Sequence, residues 1–74
     1  MPGTQHYDVV LVPQPEGGYS VFVPDLPDVT TEGETRAEAL VMATDAIEGY
    51  LETMAARNWT PLHSEHERVS VRTA

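Results

Sequence analysis

Pro27 and Pro61 bracket the longest proline-free stretch of this chain, and Thr35-Arg36-Ala37-Glu38 inside it has the pattern of a helix start. In such a box the Thr35 hydroxyl accepts from the backbone amide of Glu38, and the Glu38 carboxylate reaches back to the amide of Thr35. Beyond it Ala37, Leu40, Val41, Ile47, Leu51, Met54 and Ala55 recur at helical spacing, which predicts one helix over about 36–57, near 33 Å long. Asn58 can adopt the left-handed conformation that ends it, and Pro61 follows as a stop. A lone helix has no helical neighbour to pack on, so its apolar stripe, read as Leu40–Ile47–Leu51–Met54, needs a sheet.

The flanking segments supply one. Residues 1–5 read as a loose, flexible terminus. His6-Tyr7-Asp8-Val9-Val10-Leu11-Val12-Pro13 is strand-like, with Tyr7, Val9 and Leu11 on one face. Pro15 and Gly17-Gly18 give a hairpin turn, and Tyr19-Ser20-Val21-Phe22-Val23 is the return strand, ended by Pro24. Val29-Thr30-Thr31 predicts a short third strand ended by Gly33, and the alternation of Arg68-Val69-Ser70-Val71-Arg72 a fourth. The expected fold is one α+β domain over 1–74, with its core at about 6–72. It is a two-layer sandwich in the order ββ-β-α-β, with one helix on one face of a four-stranded sheet. Val10, Val12 and Phe22 lie on the other face, which no second helix covers, so they are the candidate oligomer interface.

A chain of 74 residues buries only about 60% of its extended surface, and without cysteine it has neither disulfides nor cysteine zinc ligands. Self-association is the expected support. No apolar run reaches the roughly 20 residues of a membrane span and no signal peptide opens the chain, so the expected location is cytoplasmic. Twelve acidic against four basic residues give a net charge of −8, and residues 1–52 hold ten of the acids with Arg36 as their single base. Such a body repels phosphate backbones and attracts basic proteins.

Four carboxylates, Asp25, Asp28, Glu32 and Glu34, crowd the connection ahead of the helix. Their spacing does not match an EF-hand loop, and Asp and Pro favour turns for their own geometry. Glu38, Asp45 and Glu52 recur every seven residues and line one polar stripe of the helix. This stripe is either a solvated face or a docking surface for a basic partner. His63 and His66 stand beside Glu65 and Glu67, but a structural zinc site shows four recognisable ligands, so no metal site is assigned. Trp59 is expected to cover the end of the core. The strands carry Asp8 as their one carboxylate, too few for a metal-dependent nuclease, and there is no phosphate loop, nucleophile elbow or Cys/His pair. No catalytic residue or cofactor is assigned, and an enzyme is not expected.

Taken together, Gly17-Gly18-Tyr19, Val23-Pro24-Asp25-Leu26-Pro27, Thr31-Glu32-Gly33-Glu34-Thr35 and Glu38-Ala39-Leu40 resemble the signature of HicB-type antitoxins, over about Tyr7 to Pro61. The family usually has glycine where Asp28 stands, and Asp tolerates the left-handed region well enough to keep a turn there. The resemblance implies a truncated RNase H-like sheet. It also implies a partner, a small basic HicA-type ribonuclease toxin, neutralised by occlusion of its RNA-binding face. Many members carry a C-terminal DNA-binding segment for which residues up to Ala74 leave no room, so direct DNA binding is not expected. From charge and spacing, the acidic contacts expected with such a partner are Asp25, Asp28, Glu32, Glu34, Glu38, Asp45 and Glu52. The alternative is an oligomeric structural, small-ligand or metal-binding domain with no toxin partner. The roles of Arg57, Arg68 and Arg72 stay open.

Overall fold

The computed structural model describes residues 3–60, 65 and 67–73. Three antiparallel strands form a meander in the order β1-β2-β3: β1 is Val10–Pro13, β2 Tyr19–Phe22 and β3 Thr30–Gly33. The single helix, α1, spans Arg36–Ala56 and packs on one face, mainly over β3 and then β2. The α+β two-layer arrangement expected from the sequence is therefore present with three strands.

Local chemistry explains each junction. In the hairpin, the Gly17 amide donates to the Gln14 carbonyl and the Gln14 amide to the Gly18 carbonyl, both at 3.0 Å. Gly17 and Gly18 have φ of 102° and 82°, a region that side chains rarely enter. The register pairs Val10 with Phe22 and Pro13 with Tyr19. The next step upstream of Val10 would bring the chain against Val23 and Pro24, where the ladder loses a donor. β1 therefore starts at Val10 and not at His6.

After β2 come two tandem turns. The Leu26 amide donates to the Val23 carbonyl at 3.0 Å, and the Val29 amide to the Leu26 carbonyl at 2.8 Å. Each turn places Pro then Asp at its centre, with the fixed φ of Pro24 and Pro27 setting the bend. Asn58 is the one non-glycine with positive φ among the described residues, so Asp28 does not use the left-handed region. The turn is of the kind that needs no glycine. Three-residue spacing points Val23, Leu26 and Val29 inward, all 5% exposed or less.

The helix begins as expected, with the Glu38 amide donating to the Thr35 hydroxyl at 3.0 Å. The return contact differs: the Glu38 carboxylate accepts from the amide of Glu34, not Thr35, at 3.2 Å. At the other end Asn58, at φ 57°, donates to the Ala55 carbonyl and Trp59 to that of Met54. This pair of bonds is the Schellman motif.

The buried stripe of α1 is Ala39–Ala43–Ile47. Leu40, Leu51 and Met54, expected at its centre, are half-buried, and Val41 is 60% exposed. Gly33 is the reason. A Cβ there would lie 2.5 Å from the Ala39 nitrogen, so the helix backbone rests directly on β3, and only small residues fit at that crossing. The core has two adjoining parts, Val21 with Ala39 and Ala43, and Val23, Leu26 and Val29 with Ile47. Tyr7, Val9 and Leu11 pack against them as the sequence predicts. Gly49, by contrast, has no atom within 4 Å of an added Cβ. Gly49→Ala is expected to stabilise the fold by about 0.5–1 kcal/mol, by removing backbone entropy from the unfolded chain. Chemical denaturation checks this, and a lowered midpoint would contradict it.

Two expectations are corrected. Residues 67–73 form no strand, and Val69 and Val71 are 78% and 77% exposed, so the four-stranded RNase H-like sheet is not seen among the described residues. Alternation makes a segment suited to a strand, but an edge must receive it, and in this protomer nothing does. Trp59 does not cover the core. Its indole is 56% exposed, with the Arg57 guanidinium carbon 5.0 Å from the ring centroid. The Asn58 turn directs it outward, where Arg57 can stack on it.

Candidate functional site

Glu38, Asp45 and Glu52 all lie exposed on α1. They are set about 10 Å apart along the axis. They share one outward face, although Glu38 is also engaged in the helix cap. The loop carboxylates divide into two groups. Asp25, half-buried, and Asp28, exposed, belong to the tandem turns that precede β3. Glu32 and Glu34 lie at the far end of β3, where they line a shallow cleft with Glu16, Glu38, Tyr19 and Met42. The strand separates the groups by roughly 13 Å. So Glu32, Glu34 and Glu38 border one cleft, with Glu32 in the sheet row that faces away from α1, while Asp25 and Asp28 lie at the other end of β3 and Asp45 and Glu52 extend the acidic face along the helix.

Sequence reasoning missed Glu16 as a member of the cleft. The hairpin carries it there, and its one sequence signal was its place beside Gly17-Gly18. It also missed Met42, 40% exposed on the same side of α1.

The opposite sheet face has two rows, Val10–Phe22–Thr30 and Val12–Ser20–Glu32, set by the strand register. Val10, Val12 and Phe22 are 46%, 38% and 45% exposed. Apolar side chains adjoining on an open sheet are the usual raw material of an interface.

A third feature is an open groove of about 890 Å³ beside α1. The upstream segment to β1, through Tyr7 and Val9, forms one wall, and Leu40, Thr44, Ile47 and Leu51 form the other. α1 packs mainly over β3 and β2, and the groove lies between the helix and the segment upstream of β1.

His63 and His66 lie outside the described residues. Among the described residues no three His, Cys, Asp or Glu side chains converge in a way that could hold a metal. His6 and Asp8 are exposed and lie outside the sheet. No helix among the described residues is long and apolar enough to cross a membrane.

The family described as the HicB_like antitoxin of bacterial toxin-antitoxin systems matches residues 7–71, nearly the whole chain. The chain belongs to the HicB-like antitoxin family. Antitoxin HicB 1 of Photorhabdus laumondii is 56% identical over 41 residues, which are 55% of this chain and 26% of that protein. Antitoxin HicB of Escherichia coli K12 is 54% identical over 41 residues, 55% of this chain and 30% of that protein. The match therefore spans less than a third of either HicB antitoxin. The UPF0150 protein Ta0767 of Thermoplasma acidophilum is 34% identical over 65 residues, 88% of this chain and 94% of that protein. Three surfaces stand open among the described residues: the acidic helix face with its cleft, the bare sheet face and the groove.

Proposed function

We propose that this chain is an antitoxin module that binds a small, basic, HicA-type ribonuclease and neutralises it by covering its RNA-binding face. Family membership supports the antitoxin role. The acidic face supports the mechanism, and it is the observation that carries the reading. Glu38, Asp45 and Glu52 are exposed on a body whose first 52 residues hold ten acids and one base. A toxin surface that grips RNA phosphate is cationic, and an acidic helix face competes for it as a second polyanion. Asp25, Asp28, Glu32 and Glu34 add contacts at the two ends of β3. The module self-associates through Val10, Val12 and Phe22, whose burial adds apolar area that so small a core lacks. It acts as a binding protein and not an enzyme, and it works in the cytoplasm, where its RNA-cleaving target would act.

The test is the kinetics of association with the basic protein of the neighbouring reading frame. The triple variant Glu38→Lys/Asp45→Lys/Glu52→Lys is expected to slow association at low salt by about tenfold or more and to flatten its salt dependence, because steering charge acts on the on-rate. Far-ultraviolet circular dichroism controls for helix content, since Glu38 also caps α1. Unchanged kinetics would remove this face from the interface.

A second reading, an oligomeric or small-ligand-binding domain without a toxin, draws on the open groove. The neighbouring frame discriminates. If no small basic protein is encoded there, or if that protein does not co-purify with this chain, the second reading is favoured.

A further inference from the structure

The hydrogen-bond parity of the sheet fixes which backbone groups its outer strands turn away from β2. The Gln14 amide donates to the Gly18 carbonyl, and bonded pairs alternate down the ladder from there. Val12–Ser20 and Val10–Phe22 are then the bonded pairs of β1 with β2. Tyr19 and Val21 turn their backbone groups the other way, to Gly33 and Thr31 of β3. By the same alternation the N–H and C=O groups of Thr30 and Glu32 point to the outer edge of β3. Among the described residues no strand lies beyond β3, and Thr30 and Glu32 are both exposed.

This edge is open in a way that β1 is not. Pro13 faces Tyr19 in a non-bonded pair, so its missing N–H falls on the outer edge of β1 and blunts it. β3 reads Thr-Thr-Glu-Gly, with neither the proline nor the lysine that guards an edge strand. The charge around it is one-sided. Glu32 lies on the strand itself, and Glu16, Glu34 and Glu38 border the cleft at its Gly33 end. Asp28 stands in the turn that precedes Thr30. Residues 1–35 hold six acids and no lysine or arginine.

We propose that the outer edge of β3 takes an extended, basic segment of the partner protein as an added strand, bonded to the amides and carbonyls of Thr30 and Glu32. This inference rests on the antitoxin reading above and adds the way in which the two proteins join. A protein strand is the occupant because its alternating donors and acceptors match those of Thr30 and Glu32. Nucleic acid offers no such alternation, and its phosphates would meet the acids around the edge. The segment is basic because a lysine or arginine beside Glu32 is stabilising there, whereas a like charge is not. The β3 edge of a second copy would set acid against acid.

Amide hydrogen exchange of the full chain, followed residue by residue by nuclear magnetic resonance, tests it. The probe is the small basic protein of the neighbouring reading frame. In the free chain the amides of Thr30 and Glu32 should exchange rapidly, while Thr31 and Gly33 are held by β2. Saturating partner should slow Thr30 and Glu32 by about tenfold or more. Binding that leaves both amides rapid would overturn this inference and leave the antitoxin reading standing. A partner that does not bind would overturn both. Protection in the chain alone that grows with concentration would overturn it in favour of a second copy. As a second readout, Glu32→Pro removes an outward donor without touching a bond to β2. It should weaken the complex by about tenfold or more, with circular dichroism as the control for folding. Glu32→Gln keeps the donor and loses the charge, and should weaken it by no more than about fivefold. Equal losses would overturn the inference, leaving Glu32 as a charge contact alone.

Discussion

Gly33→Ala is expected to lower the unfolding free energy by about 3 kcal/mol or more, at the upper end of what overpacking a well-fitted core costs. The reason is placement and not flexibility, since Gly33 does not have a positive φ. An alanine Cβ would lie 2.5 Å from the Ala39 nitrogen, 2.6 Å from its Cα and 3.0 Å from the Glu38 carbonyl carbon. These are backbone atoms of a helix held by its N-terminal cap, and none can swing aside as a side-chain tip would. The first turn of α1 must lift from β3, opening the contact among Val21, Ala39 and Ala43. Urea denaturation followed at 222 nm is the measurement. A midpoint matching the unsubstituted chain would mean that the helix does not rest on Gly33. Gly49→Ala, the same substitution on the open side of the same helix, is the internal comparison and carries the opposite sign.

Leu26→Ala is expected to cost about 2–5 kcal/mol, the range for emptying a buried leucine site. Leu26 is 1% exposed and is the largest fully buried side chain. It ends one X-Pro-Asp turn and begins the next, and it packs with Val23, Val29 and Ile47. A domain of this size has a total stability of about 4–11 kcal/mol, so the variant should be partly unfolded at 37 °C. Exposed Asp28 in the second turn should tolerate Ala far better, within about 0.5 kcal/mol, as surface changes usually do. Equal losses at the two positions would mean that the turns, and not the apolar side chain they deliver, hold this end of the core.

The candidate site was legible in part, and for a specific reason. Spacing on a helix is enough to place Glu38, Asp45 and Glu52 on one outward face, because a rigid helix carries sequence position directly into space. The loop acids had no such ruler. Asp25 through Glu34 read as one acidic connection, but β3 intervenes and sends the two halves to opposite ends of a strand. Glu16, distant in sequence, joins Glu32, Glu34 and Glu38 because the hairpin turn and the end of β3 meet at the first turn of α1. The bare sheet face was readable for the same reason as the helix stripe, since alternation along β1 and β2 separates Val10, Val12 and Phe22 from Leu11 and Val21.

What the amino-acid order determined unaided were events closed within a few residues: the Thr35 cap, the left-handed stop at Asn58, the glycine hairpin and the proline turns that send Val23, Leu26 and Val29 inward. Each depends on a φ preference or a hydrogen bond between near neighbours, so the local sequence is sufficient. Tertiary structure alone decided which side of α1 is buried. Leu40 and Met54 are the more apolar choice, but Gly33 brings two backbones so close that only Ala39 and Ala43 fit between them. It also decided that Val69 and Val71 stay outside the sheet of this protomer. A strand needs an edge to pair with, and whether one is offered depends on long-range packing that the alternation of side chains does not encode.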